Sequence, residues 1–306
     1  MREGLGKRWL TVGAMAVAAL AWCRATAARE RHRQLERGEI HPLSHCWTVI
    51  GGCRLYARVS TVAAGPGRIP VVLVHGFGVS SAYFVPAAER LASQFAVYAP
   101  DLPGHGQSDT PPEPLDIAAF ADVLMTWMGA VGLERAALVG NSMGCQIVVE
   151  AAVRYPERVA CLILIGPTVD PAGRTLAEHA RRLVLSAFYE RLSLFGVIAA
   201  DYARMGPRLI AELRFLLRDQ IEKKLPLVKA PTMLVRGARD AIAPQRWLVE
   251  AVQRMGAQRL AVIPGWGHAV HYSAPALLVR AITPFLRQAS LEAEQGDRTG
   301  SLSEIK

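Results

Sequence analysis

Short, unbroken apolar runs alternate with helical stretches along most of this 306-residue chain. The first two runs, residues 45–50 and 53–60, read as antiparallel strands around Gly51-Gly52. Residues 70–75, 95–100, 136–140, 159–165, 232–235 and 260–263 follow. They are rich in Val, Ile and Leu, as strands buried on both faces should be. Helical patterns over 83–94, 116–131, 142–155, 245–255 and 274–288 separate most of them. This alternation leaves few folds open and predicts an α/β chain with a mostly parallel sheet covered by helices on both faces. A hydrophobic content of 51% is enough for such a core and excludes disordered and low-complexity classes.

One gap breaks the rhythm. Between Ile165 and Thr232 lie about 65 residues with no strand pattern. Residues 174–192 and 207–225 are strongly helical, with Pro207 suited to a first turn. Ala180, Leu183, Val184 and Phe188 recur at helix spacing. Sites in such sheets lie beyond the carboxyl ends of strands, so an insertion after a strand end predicts a helical lid at about 166–231. The expected organisation is an N-terminal segment over 1–43, a main domain over 44–290 and a flexible polar tail over 291–306.

The charge is uneven. The net charge is +9, with 35 Lys+Arg against 26 Asp+Glu. Residues 1–37 hold eight basic and three acidic residues, and residues 173–229 hold eleven and six, so each stretch carries +5 and the remainder −1. The arginines are scattered and no nucleic-acid-binding motif accompanies them, so a nucleic-acid partner is not expected. Five cysteines make no disulfide framework, and no Cys/His spacing suggests a metal. In a two-residue hairpin Cys53 faces Ile50 and Cys46 faces Ala57, too far apart to bridge.

Trp9 to Cys23 is an uncharged stretch with basic residues on both sides. As a helix it spans about 22 Å, short of the ~30 Å hydrocarbon core. Ala25-Thr26-Ala27 resembles a signal-peptidase site. Arg29, Arg31, Arg33 and Arg37 just beyond it favour a cytoplasmic side. The expectation is membrane association through residues 1–37 with the catalytic domain in the cytoplasm. Export by a signal peptide, or a helix that packs on the protein itself, are the alternatives.

The strongest local signal is Gly140-Asn141-Ser142-Met143-Gly144, between a strand and a helix. That is the context of a nucleophile elbow, a turn so sharp that its flanks need residues without bulk. A serine hydroxyl needs a base, and His268 lies just past the last strand. An imidazole that becomes a cation needs a carboxylate, and Asp240 follows the penultimate strand, with Asp170 as the fallback. A tetrahedral intermediate needs N–H donors for its oxyanion; Met143 at the helix start and Phe77 in the loop after the first parallel strand can supply them. Gly76, Trp266 and Phe188 are read as pocket lining.

These motifs resemble the α/β-hydrolase fold family over roughly residues 44–290. They are H-G-F-G at 75–78, D-L-P-G-H-G-Q-S-D at 101–109, G-N-S-M-G at 140–144, R-G-A-R-D at 236–240 and G-W-G-H at 265–268. The resemblance implies an eight-stranded sheet, a cap after the sixth strand, a Ser–His–Asp triad and neither organic cofactor nor metal. It assigns residues 101–109 to shaping the loop beside the site. Haloalkane dehalogenases and epoxide hydrolases of this fold carry aspartate at the elbow, so Ser142 argues against both.

The expected activity is a serine hydrolase cleaving a small-molecule carboxylic ester, its acyl group apolar to suit Phe188, Leu194, Phe195, Phe215 and Leu216. Carbon–carbon bond hydrolysis, lactone opening, perhydrolysis or acyl transfer by the same triad are the alternatives, and a silent ligand-binding protein is a further one. Cys145 after Gly144 and Phe77 in the first loop set this chain apart from the carbon–carbon hydrolases it otherwise resembles.

Overall fold

The computed structural model describes residues 29–31, 33–61, 68–255 and 259–303. The chain divides into Met1–Ile40 and His41–Lys306. In the first unit residues 33–36 are helical; the sheet and the site lie wholly in the second. The expected apolar segment at 9–23 and the cleavage-like pattern at 25–27 fall outside the described residues. Among the described residues no helix is long and apolar enough to cross a membrane.

Gly51-Gly52 joins β1 (Leu43–Ile50) to β2 (Cys53–Ser60), an antiparallel pair. Ile50 faces Cys53 and Cys46 faces Ala57, and both thiols are free, as the two-residue turn predicted. The remaining strands are β3 (Val71–Val74), β4 (Val97–Pro100), β5 (Ala136–Asn141), β6 (Val159–Ile165), β7 (Thr232–Gly237) and β8 (Arg259–Ile263). They form one sheet in the order β1-β2-β4-β3-β5-β6-β7-β8. Pairing is antiparallel from β1 to β4 and parallel from there on. Every residue of β3, β5, β6 and β7 is buried, which is why they read as unbroken apolar runs.

The main helices are α1 (Val85–Leu91), α2 (Ile117–Ala130), α3 (Met143–Arg154), α4 (Leu176–Ala187), α5 (Leu192–Met205), α6 (Arg208–Arg218), α7 (Gln245–Arg254) and α8 (Pro275–Ser303). Trp127 of α2, Val148 of α3 and Trp247 of α7 join Leu138, Leu164 and Leu234 in one core. Leu91 of α1 and Ile282 of α8 join Val139, Ile163 and Val235 in the other. The alternating residues of each central strand therefore feed two separate cores, one under each helical layer.

Because β3 and β5 to β8 are parallel, the loops after them gather at one edge of the sheet. Chain order reverses at β3, whose neighbours are β4 and β5. In sheets of this kind the loops on either side of such a reversal flank the place where ligands bind.

Three main helices, α4 to α6, fill the stretch between β6 and β7 where sequence pattern predicts two. Thr175 caps α4 by accepting from the Glu178 amide. The stripe that includes Leu183, Val184 and Phe188, the last of them expected as pocket lining, faces outward. His179, Arg182 and Ser186 are buried, while Val184 is 61% and Phe188 79% exposed. The polar side of α4 is turned inward because it has specific partners there, described below. Residues 291–303, part of the stretch 291–306 expected as a flexible polar tail, continue α8 as helix. Leu291-Glu292-Ala293-Glu294 are strong helix formers, and they extend a helix already docked on the sheet.

Candidate active site

The β5–α3 turn places Ser142 at φ 56°, ψ −120°, the one positive φ outside glycine among the described residues. Such a backbone costs of order 1–3 kcal/mol and persists only where its surroundings enforce it. Here the Ser142 amide donates to the Ile165 carbonyl at 3.0 Å, and the Ser142 carbonyl accepts from Cys145. Gly144 lets α3 pass against β3: a Cβ there would stand 2.2 Å from the Val74 carbonyl oxygen. Cys145, beside the elbow, is buried with its Sγ on the Gly140 and Ile165 carbonyls. Burial pushes its thiol well above the ordinary value, so it is no nucleophile.

His268 donates from Nδ1 to Asp240 Oδ2 at 2.8 Å, and its Nε2 has no partner among the described residues. The other oxygen of Asp240 accepts from the Ile242 and Ala243 amides. A carboxylate held on both oxygens is rigid, and as the acceptor at Nδ1 it fixes the imidazole tautomer. Burial pulls His268 down, but the Asp240 charge, the hydrogen bond to it and the Glu190 charge outweigh burial and leave the group above its ordinary value. Arg236 braces the Asp240 turn by donating to the Asp240 and Ala243 carbonyls and to Gln245.

Asp170, the fallback acid, is engaged elsewhere: Arg182 and Arg246 both donate to it and the Ala172 amide binds Oδ1. Ser142 and His268 are contacted by two consecutive residues. Ile165 holds the Ser142 amide, and the next residue, Gly166, abuts the His268 ring. Gly76 completes the floor: a Cβ on it would be 3.1 Å from that of Ser142. The Phe77 and Met143 amides have no hydrogen-bond acceptor among the described residues.

The 101–109 loop is structural. Asp101 accepts from the Ser81 and Gln107 amides, and its carbonyl accepts from Ser108. His75 ties the loops together by accepting the Leu102 amide at Nε2, which leaves Nδ1 to donate to the Gly76 carbonyl. Burial, and then His105, hold His75 well below its ordinary value and therefore neutral.

The β6–β7 segment reaches the site from two sides. On one, Ser80 donates to Asp201 of α5 at 2.7 Å, and Tyr202 packs edge-on against Phe77. Arg208 of α6 donates to the Pro111 and Glu113 carbonyls, and Glu212 lies 3.1 Å from His105 Nε2. On the other, Ser186 accepts from the His268 amide and Glu190 from that of Ala269.

Of the expected pocket residues, Gly76 adjoins Ser142, whereas half-buried Trp266 carries the Arg191 guanidinium on its ring. Phe188 does not line the site; it points outward from the end of α4. Sequence reasoning missed Gly166, Arg236, Ser186 and Glu190. Arg236 lay in a motif already in view, but nothing local marks a helix-end glutamate as a neighbour of a histidine some eighty residues later. Among the described residues no cluster of His, Cys, Asp and Glu is arranged to hold a metal.

The fold has counterparts in known proteins. The α/β-hydrolase fold model matches residues 69–198, and a model of TAP-like proteins matches 215–298. The pimeloyl-[acyl-carrier protein] methyl ester esterase of Chromobacterium violaceum is 30% identical over 223 residues, covering 63% of this chain and 85% of the relative. An uncharacterised protein of Mycobacterium tuberculosis (strain H37Rv) is 27% identical over 298 residues, covering 84% and 85%. A solved membrane phospholipase A superposes with a TM-score of 0.70 at 23% identity, covering 94% of this chain and 99% of that one. The chain belongs to the α/β-hydrolase fold family. Within it the protein is a hydrolytic enzyme, as are the esterases among its relatives.

Proposed function

We propose that this protein hydrolyses carboxylic esters of apolar acids through Ser142, His268 and Asp240. The observation that carries the reading is the His268–Asp240 hydrogen bond with Nε2 left open, on the same sheet edge as a strained Ser142. In the acylation step His268 Nε2 takes the Ser142 proton as Oγ bonds to the ester carbon. The oxyanion is received by the Phe77 and Met143 amides. The C–O bond then breaks, and the alcohol leaves with the proton from His268. Water repeats the sequence on the acyl-enzyme, releasing the acid and restoring Ser142.

The segment between β6 and β7 serves as the cap, anchored by Asp201, Arg208 and Glu212. Leu194 is buried against Val79, Tyr83 and Ala269, beside the loops that carry Phe77 and His268, which supports an apolar acyl group, and the esterase relative supports an ester substrate. The test is labelling by a fluorophosphonate and turnover of p-nitrophenyl esters of increasing chain length. Both are expected for the native protein and neither for Ser142→Ala. Turnover by that variant at the native rate overturns the mechanism, and native turnover of carbon–carbon or lactone substrates in preference to esters overturns the substrate class.

Residues 1–37 are read as a membrane attachment, on the strength of an apolar stretch with basic flanks. The full chain is expected to sediment with membranes and a chain beginning near residue 40 to remain in solution; solubility of both refutes the attachment.

A further inference from the structure

The amides of Gly267, His268 and Ala269 are consecutive, and all three donate to one short stretch of the β6–β7 segment. Gly267 donates to the Tyr189 carbonyl at 3.3 Å, His268 to Ser186 Oγ at 3.1 Å and Ala269 to Glu190 Oε1 at 2.8 Å. The other oxygen of Glu190 accepts from Ser273 Oγ, and Arg191 donates from its side chain to the Ser273 carbonyl. The approach is close: a Cβ on Gly267 would stand 2.5 Å from Glu190 Oε1. Only a residue without a side chain lets this carboxylate reach the loop. A β8 loop would ordinarily satisfy such amides with its own turn or with water. Here a carboxylate from a helix end does so, in a place where burial is costly and raises its own proton affinity.

We propose, resting on the reading of His268 as the general base, that Glu190 is a positioning residue that holds the His268 loop and lends the imidazole its negative charge. The cap segment 186–191 and the base then move as one unit. Lifting this end of the cap dismantles the base, so catalysis requires it closed, and substrate is admitted without displacing it. The charged and titratable groups facing His268 are Asp240 from the β7 loop, Glu190, His179 of α4 and His271 from the turn after β8. Glu190 and Asp240 are the two that favour the protonated ring.

Two variants of the full chain test this. Glu190→Gln keeps an acceptor for the Ala269 amide and removes the charge. Its acid limb in the pH profile of kcat/KM for a p-nitrophenyl ester is expected at lower pH than in the native enzyme. Glu190→Ala removes the charge and the clamp, and is expected to lose about tenfold or more in kcat with KM little changed. In addition, its low-field Nδ1–H proton resonance, present in the native protein and absent in Asp240→Asn, should broaden. An unmoved acid limb in Glu190→Gln overturns the proposal, as does a folded Glu190→Ala with native kcat. If Glu190→Ala does not fold, Glu190→Gln decides alone. A native protein that neither turns over esters nor takes the fluorophosphonate instead removes the reading of His268 on which the proposal rests.

Discussion

Gly166 backs the His268 imidazole so closely that a Cβ on residue 166 would lie 2.8 Å from both Nδ1 and Cε1. It would also lie 2.9 Å from Asp240 Oδ2, so a side chain there crowds the Asp240–His268 pair. The same residue sits at φ +55°, a conformation that suits glycine. Gly166→Ala should cost about 1–2 kcal/mol from backbone strain alone and about 1–3 kcal/mol more from overpacking. The expected result is a lowered melting temperature together with a loss of kcat that exceeds any change in KM. A variant as stable and as active as the native protein contradicts this geometry.

Two aspartates follow neighbouring strands, and substitution separates their roles. Asp240→Asn keeps the shape but presents an amide to Nδ1, so kcat should fall by something on the order of 10⁴ with the fold retained. Asp170→Asn weakens the partner of buried Arg182 and should act on stability, by about 3 kcal/mol or more, and far less on turnover in the folded fraction. Matched thermal unfolding and kinetics of the two variants give the answer; the reverse pattern would make Asp170 the acid.

The pH dependence follows from His268. Its folded value lies above the ordinary one, so the base is neutral only at pH above about 6.5. Activity should rise with pH through that folded value, and the acid limb of kcat/KM should move down in Asp240→Asn. Stability runs the other way for this group. A raised folded value stabilises fully below about pH 6.5, and the contribution is lost as pH rises through the folded value. His179, held down to about 4 by burial first and then by His268 and Arg182, is neutral throughout the working range. An acid limb below pH 6 in the native enzyme would contradict the pairing.

The outward side of α4 carries Val184 and Phe188 in water. Exposed side chains have little burial to lose, so Phe188→Ser and Val184→Ser should each shift stability by no more than about 0.5 kcal/mol. Leu216, wholly buried in α6, should by contrast cost about 2–5 kcal/mol on truncation to alanine. Chemical denaturation of these variants checks both; a large cost at Phe188 would place it inside the site after all.

Period and punctuation made the sheet legible from residue order alone. Val159–Ile165 reads as a strand buried on both faces because every side chain is apolar, and the structure places it there unchanged. The hairpin register followed from turn length, since two residues between strands fix which side chains face one another. The elbow was legible because a Gly-x-Ser-x-Gly run between a strand and a helix marks the turn locally, although the contacts that enforce it, Val74 against Gly144 and the Ile165 carbonyl on the Ser142 amide, come from other strands.

Helix α4 was legible as two-faced but its orientation was not, because periodicity reports that a helix has two faces and not which one meets the protein. The choice fell to Asp170 and the Ile242 carbonyl, which accept from Arg182, and to the His268 amide, which donates to Ser186. The roles of Gly166 and Glu190 are tertiary for the same reason. Each is defined by a residue on another element, brought close by strand order. The amino-acid sequence by itself determined the elements, the sheet class and the family, since these rest on local backbone preference and side-chain type. Which carboxylate meets His268, which face of α4 is buried and what holds the base in place were decided by packing between distant segments, where distance and burial outweigh local pattern.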